Sequence, residues 1–291
     1  MIRLIVDSTC DLPQEVMEKY GVGLLPLHVM VEGNDYRDRV EITTDEVFNA
    51  MRRGIVPKTS QVGPEDIYRL FQSMCGRGDD FIYLAFSSAL SGTYQIARVI
   101  MQEFQQKYPQ IRMAIVDSKG GSVATGLIAL QTIKYIESGC SFDQAVDYAT
   151  QLVSHVEHVF TIADIGWLVK GGRISKLAGV LGSILDVRPI LDVKNGLIQV
   201  IKKARGTQKA LGMIVDILAE RVAAFPNQII GISHSDNPAG VEKVKKLLSE
   251  KLGATTFIIS QISSVMGSHL GIDAVGLFFF NAKPEPYFDT I

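Results

Sequence analysis

The chain has 291 residues, 47% apolar and 21% charged, with a formal net charge of -2, which is the composition of an ordinary soluble globular protein with room for two modest domains or one large one. The near-neutral balance gives no electrostatic case for nucleic acid, and no apolar run reaches the ~20 residues that span a bilayer, so a cytoplasmic protein without a membrane span is expected. Cys10, Cys75 and Cys140 are odd in number and lack CxxC spacing, which points to neither a disulfide framework nor a zinc site.

Residues 2–6 are apolar but for Arg3 and end in Asp7-Ser8-Thr9, and Asp11 stands as N-cap before Leu12-Pro13-Gln14. Gly21 and Gly23 close that helix, and residues 24–31 read as the next strand, interrupted at its edge by Pro26. Thr43-Thr44-Asp45-Glu46 carries a capping box for a helix to about Arg53. A hydroxyl-rich connection with Lys58-Thr59-Ser60-Gln61 leads to Pro64 and a helix over residues 65–74. The apolar run 81–86 then enters Ser87-Ser88-Ala89-Leu90-Ser91-Gly92-Thr93, followed by a helix over 92–107. Another apolar run, 113–116, meets Asp117-Ser118, after which a long apolar helix extends to about Ser138, and Ser141 to Gln144 caps a further helix to about His155.

Near residue 158 the alternating rhythm changes. Residues 158–163 form a strand, 164–169 a helical turn or two, Lys170-Gly171-Gly172-Arg173 a glycine turn and 176–185 a helix. Asn195-Gly196 between apolar runs 189–193 and 197–201 is a hairpin signal. Helices over 207–224 and 238–252 and strands over 229–233, 255–259 and 274–280 complete the chain. The expected architecture is α/β in two domains. Residues 1–157 form an N-terminal parallel-sheet α/β/α domain, and residues 158–291 a C-terminal α+β domain with a mixed or antiparallel sheet, antiparallel pairing being confined to this second half.

Asp7-Ser8-Thr9, Ser87 to Ser91 and Asp117-Ser118 each follow a strand and precede a helix, with Thr59-Ser60 in a comparable loop. Parallel strands would bring all four clusters to one sheet edge, where they form a single polar cleft. The turn around Ser91 suits an oxyanion, while a helix-capping serine is the simpler reading of that residue alone. His155-x-x-His158 straddles a helix end and has no third ligand, and Gly231-Ile232-Ser233-His234-Ser235 begins like a nucleophile elbow but lacks the final glycine. No nucleotide-binding fingerprint is present. A hydrolase built on Ser91 and His269, or a phosphotransferase, remains an alternative, with no local motif to support it.

Taken in order, Asp7-Ser8-Thr9, Lys58-Thr59-Ser60-Gln61, Ser87 to Tyr94, Asp117-Ser118, Lys170-Gly171-Gly172-Arg173-Ile174, Ala204-Arg205 and Ser268-His269-Leu270-Gly271 resemble the successive motifs of the DegV family. These are bacterial fatty-acid-binding proteins that include the lipid-carrying subunits of fatty acid kinase. The resemblance implies a long-chain fatty acid held between the domains, its carboxylate met by Thr59, Ser60, Ser91, the Gly92 backbone and His269. It further implies that Arg205 and Arg173 serve phosphotransfer or contact with the kinase subunit, and that ATP and Mg belong to that partner, leaving this chain without catalysis, cofactor or metal of its own. Such a carrier leaves room for transient contact with a membrane surface; a lipid sensor or storage protein without a kinase is the other alternative. Val62 after Gln61 and Gly206 after Arg205 depart from the family pattern.

Overall fold

The computed structural model describes residues 1–174, 186–222 and 224–291; the helix expected over 176–185 lies outside them. The N-terminal half runs β1 (Ile2–Asp7), α1 (Gln14–Tyr20), β2 (Gly23–Leu25), β3 (His28–Val31), β4 (Asn34–Arg37), α2 (Thr44–Arg52), β5 (Lys58–Ser60), α3 (Pro64–Gly76), β6 (Asp80–Ala85), α4 (Thr93–Lys107), β7 (Met113–Asp117), α5 (Val123–Glu137) and α6 (Phe142–His155). The C-terminal half runs β8 (Val156–Thr161), α7 (Gly166–Lys170), β9 (Val187–Lys194), β10 (Leu197–Arg205), α8 (Thr207–Arg221), β11 (Ile230–Ser235), α9 (Pro238–Leu252), β12 (Phe257–Gln261), α10 (Ser264–Leu270) and β13 (Ala274–Phe280).

The first sheet is parallel, in the order β2-β1-β6-β7. Alternation of side chains sends Ile5, Phe81 and Tyr83 into a core with α3 and α4, and Leu4, Val6, Ile82 and Leu84 into a second core with α5, so helices cover both faces. The second sheet is mixed, in the order β10-β9-β8-β13-β11-β12, with β11 and β12 the parallel pair. Its outer face packs on α8 and α9. Helix α5 is buried along every residue from Val123 to Ile133 and touches strands of both sheets, as its unbroken apolar sequence requires. One core runs through both halves, joining Ile5 and Tyr83 to Phe160, Leu168 and Leu270. Among the described residues no helix is long and apolar enough to cross a membrane.

Four local expectations are corrected. Residues 24–31 are two strands, because Pro26 has no N–H to continue the ladder: β2 stays with the parallel sheet and β3 joins a separate antiparallel sheet in the order β4-β3-β5. Antiparallel pairing therefore occurs in the first half too, and Thr59 and Ser60 sit on a strand rather than a loop. Asp11 does not cap α1. It adopts left-handed backbone at φ 50°, Pro13 occupies the N-cap of α1, and Asp7 caps the short turn Ser8–Cys10. The capping boxes at Thr43/Glu46 and Ser141/Gln144 are present, and β9 and β10 pair as a hairpin about Asn195-Gly196.

Candidate functional site

Thr59, Ser60, Ser91, Arg173 and His269 line one cavity, whose remaining walls are apolar, among them Leu27, Phe86, Leu168 and Ile198. It encloses about 460 Å³ of empty space, some of it open to solvent. A second apolar cavity, with about 500 Å³ of empty space, shares Phe86, Leu90, Ile198, Met266 and Leu270 with the first, so the two are adjoining parts of one passage between the sheets.

Each polar group reaches the cavity by a different route. β5 pairs with β3 in the small antiparallel sheet and presents Thr59, whose Oγ1 shares a 2.7 Å hydrogen bond with His269 Nε2. The His269 Nδ1 is buried without a hydrogen-bond partner among the described residues, against Gly171. A methyl at Gly171 would lie 2.0 Å from that nitrogen, so only glycine lets the end of α7 approach the ring. Burial, with Arg173 nearby, pushes the His269 pKa down to about 4, so the ring is neutral near pH 7. Arg173 donates from Nε to the Leu90 carbonyl at 3.2 Å and from Nη1 to the Gly171 carbonyl at 2.6 Å, which holds a guanidinium at the mouth of the cavity. Ser91 Oγ shares a 2.9 Å hydrogen bond with Thr93 Oγ1 and accepts from Thr93 N at 3.2 Å, so it both closes the turn before α4 and lines the cavity. Gly92 stands beside it at the N-cap of α4, where the Gln61 side chain lies so close that any Cβ would meet its Oε1 at 2.1 Å.

Arg205 is not part of this group. It ends β10, exposed at the surface. Of the four hydroxyl clusters expected at one edge, two supply the cavity. Asp7, Ser8 and Thr9 are buried and consumed locally: Asp7 accepts from Thr9 N, Thr9 Oγ1, Tyr83 OH and Phe86 N, and Ser8 Oγ accepts from Leu27 N. Asp117 accepts from Ser88 N and Ser88 Oγ, and Ser118 donates to the Gly120 carbonyl. These turns fasten strand ends, and none of Asp7, Ser8, Thr9, Asp117 and Ser118 lines the cavity of Thr59 and Ser91. His155 pairs with Asn281 rather than with His158, and no group of side chains suited to a metal ion occurs among the described residues.

Two buried carboxylates not anticipated from the sequence hold the helix that carries His269. Asp11 accepts from Ser263 N at 2.9 Å and from Ser122 Oγ at 2.6 Å. Asp38 accepts from Ser264 N at 3.0 Å and Val265 N at 3.5 Å. Together they satisfy amides at the start of α10 that no intrahelical carbonyl can reach. Burial raises the pKa of both, that of Asp11 to about 7. No acid orients His269 among the described residues, and its Nε2 pairs with Thr59 instead of Ser91, so the relay of a serine hydrolase is not assembled.

A family model described as "Uncharacterised protein, DegV family" matches residues 1–282. The chain belongs to the DegV family. A DegV domain-containing protein of Clostridium perfringens is 32% identical over 286 residues, covering 97% of this chain and 98% of the relative. Among solved structures, a fatty-acid-binding DegV family protein from Thermus thermophilus matches with a TM-score of 0.85 and 31% identity, covering 96% of this chain and 99% of that one. A stearic-acid-binding protein from Eubacterium ventriosum matches with a TM-score of 0.91 and 28% identity, covering 99% and 100%. The DegV fold thus extends over both sheets and the passage between them.

Proposed function

We propose that this DegV protein binds a long-chain fatty acid and presents its carboxylate to a separate ATP-dependent kinase for acyl-phosphate formation. The observation that carries the reading is the polarity of the passage: hydroxyls of Thr59, Ser60 and Ser91, with His269 and Arg173, gather in one part, and mostly apolar walls continue beyond them. Burying a methylene is worth ~0.8 kcal/mol, so a long tail supplies most of the affinity and the polar end fixes its direction. A carboxylate there accepts from the hydroxyls, and from the Gly92 backbone beside Ser91. His269 is neutral before binding, and Arg173 is the cation that balances the head-group charge. Arg205, exposed and away from the cavity, is assigned to the kinase or the transferring phosphate. ATP and Mg are assigned to the kinase, and this chain needs neither to hold its cargo.

Native mass spectrometry of the protein purified from a bacterial host tests the binding step. The expected spectrum carries one fatty acid per chain. A folded protein that carries no lipid and binds none on titration overturns the reading.

A further inference from the structure

Two sequence features left without a role, His158 and the Ser233-His234 pair, meet at the second cavity, away from the cluster of Thr59, Ser91 and His269. Their strands explain the meeting. In β8 and β13, His158 pairs with Phe278, and in β11 and β13, Ser233 pairs with Gly276, which places His158, Ser233, Gly276 and Phe278 on the sheet face that looks into the passage. His158 is 5% exposed and Ser233 4%, and both line the cavity.

The His158 ring stands edge-on to Phe278, and its Nε2 accepts from Gly121 N at 3.5 Å. Burial pushes its pKa down to about 4, so the ring is neutral and, with Nε2 accepting, carries its proton on Nδ1. That Nδ1 is buried with no partner among the described residues. Ser233 remains uncovered because residue 276 is glycine: a methyl there would lie 3.2 Å from Ser233 Oγ and 2.8 Å from the Phe278 ring. An alkyl tail offers the His158 N–H no acceptor, and an unsatisfied buried donor carries a real cost. An oxygen on the tail would satisfy it and accept from Ser233 as well.

Resting on the fatty-acid reading, we propose that the second cavity is a subsite for an oxygenated acyl chain, a hydroxy or oxo fatty acid whose mid-chain or distal oxygen is met by Ser233 and His158. A buried neutral hydrogen bond is worth about 1 kcal/mol net, which corresponds to roughly fivefold in affinity. Stearic acid and a set of monohydroxystearic acids, with the hydroxyl placed at successive carbons of the distal half, are titrated into delipidated protein and into Ser233→Ala. The expected result is one positional isomer binding at least about fivefold more tightly than stearic acid. Ser233→Ala should bring that isomer within about twofold of stearic acid when both are titrated into the same variant. His158→Phe, which keeps an aromatic ring and removes the N–H, should do the same if its thermal unfolding matches that of the parent. Stearic acid binding with no isomer preferred, or a preference that survives in Ser233→Ala, overturns the subsite and leaves the carrier reading standing. No binding of any acid overturns both.

Discussion

Gly171→Ala tests whether the placement of His269 governs the head-group end of the cavity. The backbone at Gly171 has φ -74°, which alanine adopts freely, so the perturbation is purely steric. The new methyl would sit 2.0 Å from His269 Nδ1 and 2.8 Å from its Cε1, far inside contact distance. Either the ring swings away and loses its 2.7 Å hydrogen bond to Thr59, or α7 shifts and carries Arg173 with it. Overpacking of this kind costs about 1–3 kcal/mol, and losing the hydrogen bond about 1 kcal/mol more. Fatty-acid affinity should therefore fall about tenfold or more, a change of at least ~1.4 kcal/mol. Chemical denaturation and fatty-acid titration are run on Gly171→Ala, on His269→Ala and on the double variant. With the ring gone the methyl has space, so Gly171→Ala should cost less than about 0.5 kcal/mol of stability in the His269→Ala background. Equal stability losses in both backgrounds would refute the reasoning, because the methyl would then be striking something other than the imidazole.

Ser91→Ala and Thr59→Ala should each lower fatty-acid affinity by about 1–3 kcal/mol, and by less than the sum when combined, since both hydroxyls are assigned to one carboxylate; additive titration results would separate them. If Ser91→Ala lowers stability alone, it is only a turn residue. Arg205→Ala should leave fatty-acid affinity within about threefold while acyl-phosphate formation with the cognate kinase drops tenfold or more, measured on one preparation; collapse of affinity instead would place Arg205 with the carboxylate. Asp11 has its pKa raised from 3.8 to about 7 on folding, so between those values the native state binds more protons than the unfolded state, and stability falls as pH rises through this window. Asp11→Asn keeps an acceptor for Ser263 N and should flatten that slope in denaturation curves from pH 4 to 8; an unchanged slope would mean that Asp11 titrates normally.

The sequence was most informative where local chemistry decides structure. Capping boxes at Thr43 and Ser141, Pro at the starts of α3 and α9, and Asn195-Gly196 each act within a few residues, and each stands where expected. The β3–β4 hairpin escaped because its turn is Glu32-Gly33, with φ 52° and 84°, and glutamate is not a residue that advertises left-handed backbone. Helix α10 escaped because it is short and has Gly267 at its middle. Thr59, Ser60, Ser91 and His269 were found through family motifs, and they line one cavity. The roles of Asp11 and Asp38 were not legible at all: their partners lie 252 and 226 residues away, and no local pattern announces a carboxylate that will receive a distant helix.

Those two carboxylates tie the position of His269 to the docking of the two halves. Helix α10 follows β12 of the second sheet, yet its first amides are held by residues that follow β1 and β4, and Thr44 at the start of α2 donates to the Ile262 carbonyl just ahead of it. Neither half owns the histidine's position by itself. Separating the halves by even a small rotation would withdraw Asp11 and Asp38 from the amides of Ser263 and Ser264 and release His269 from Thr59 in the same motion. A force applied at the seam would therefore reach the cavity through Asp11 and Asp38, neither of which lines it.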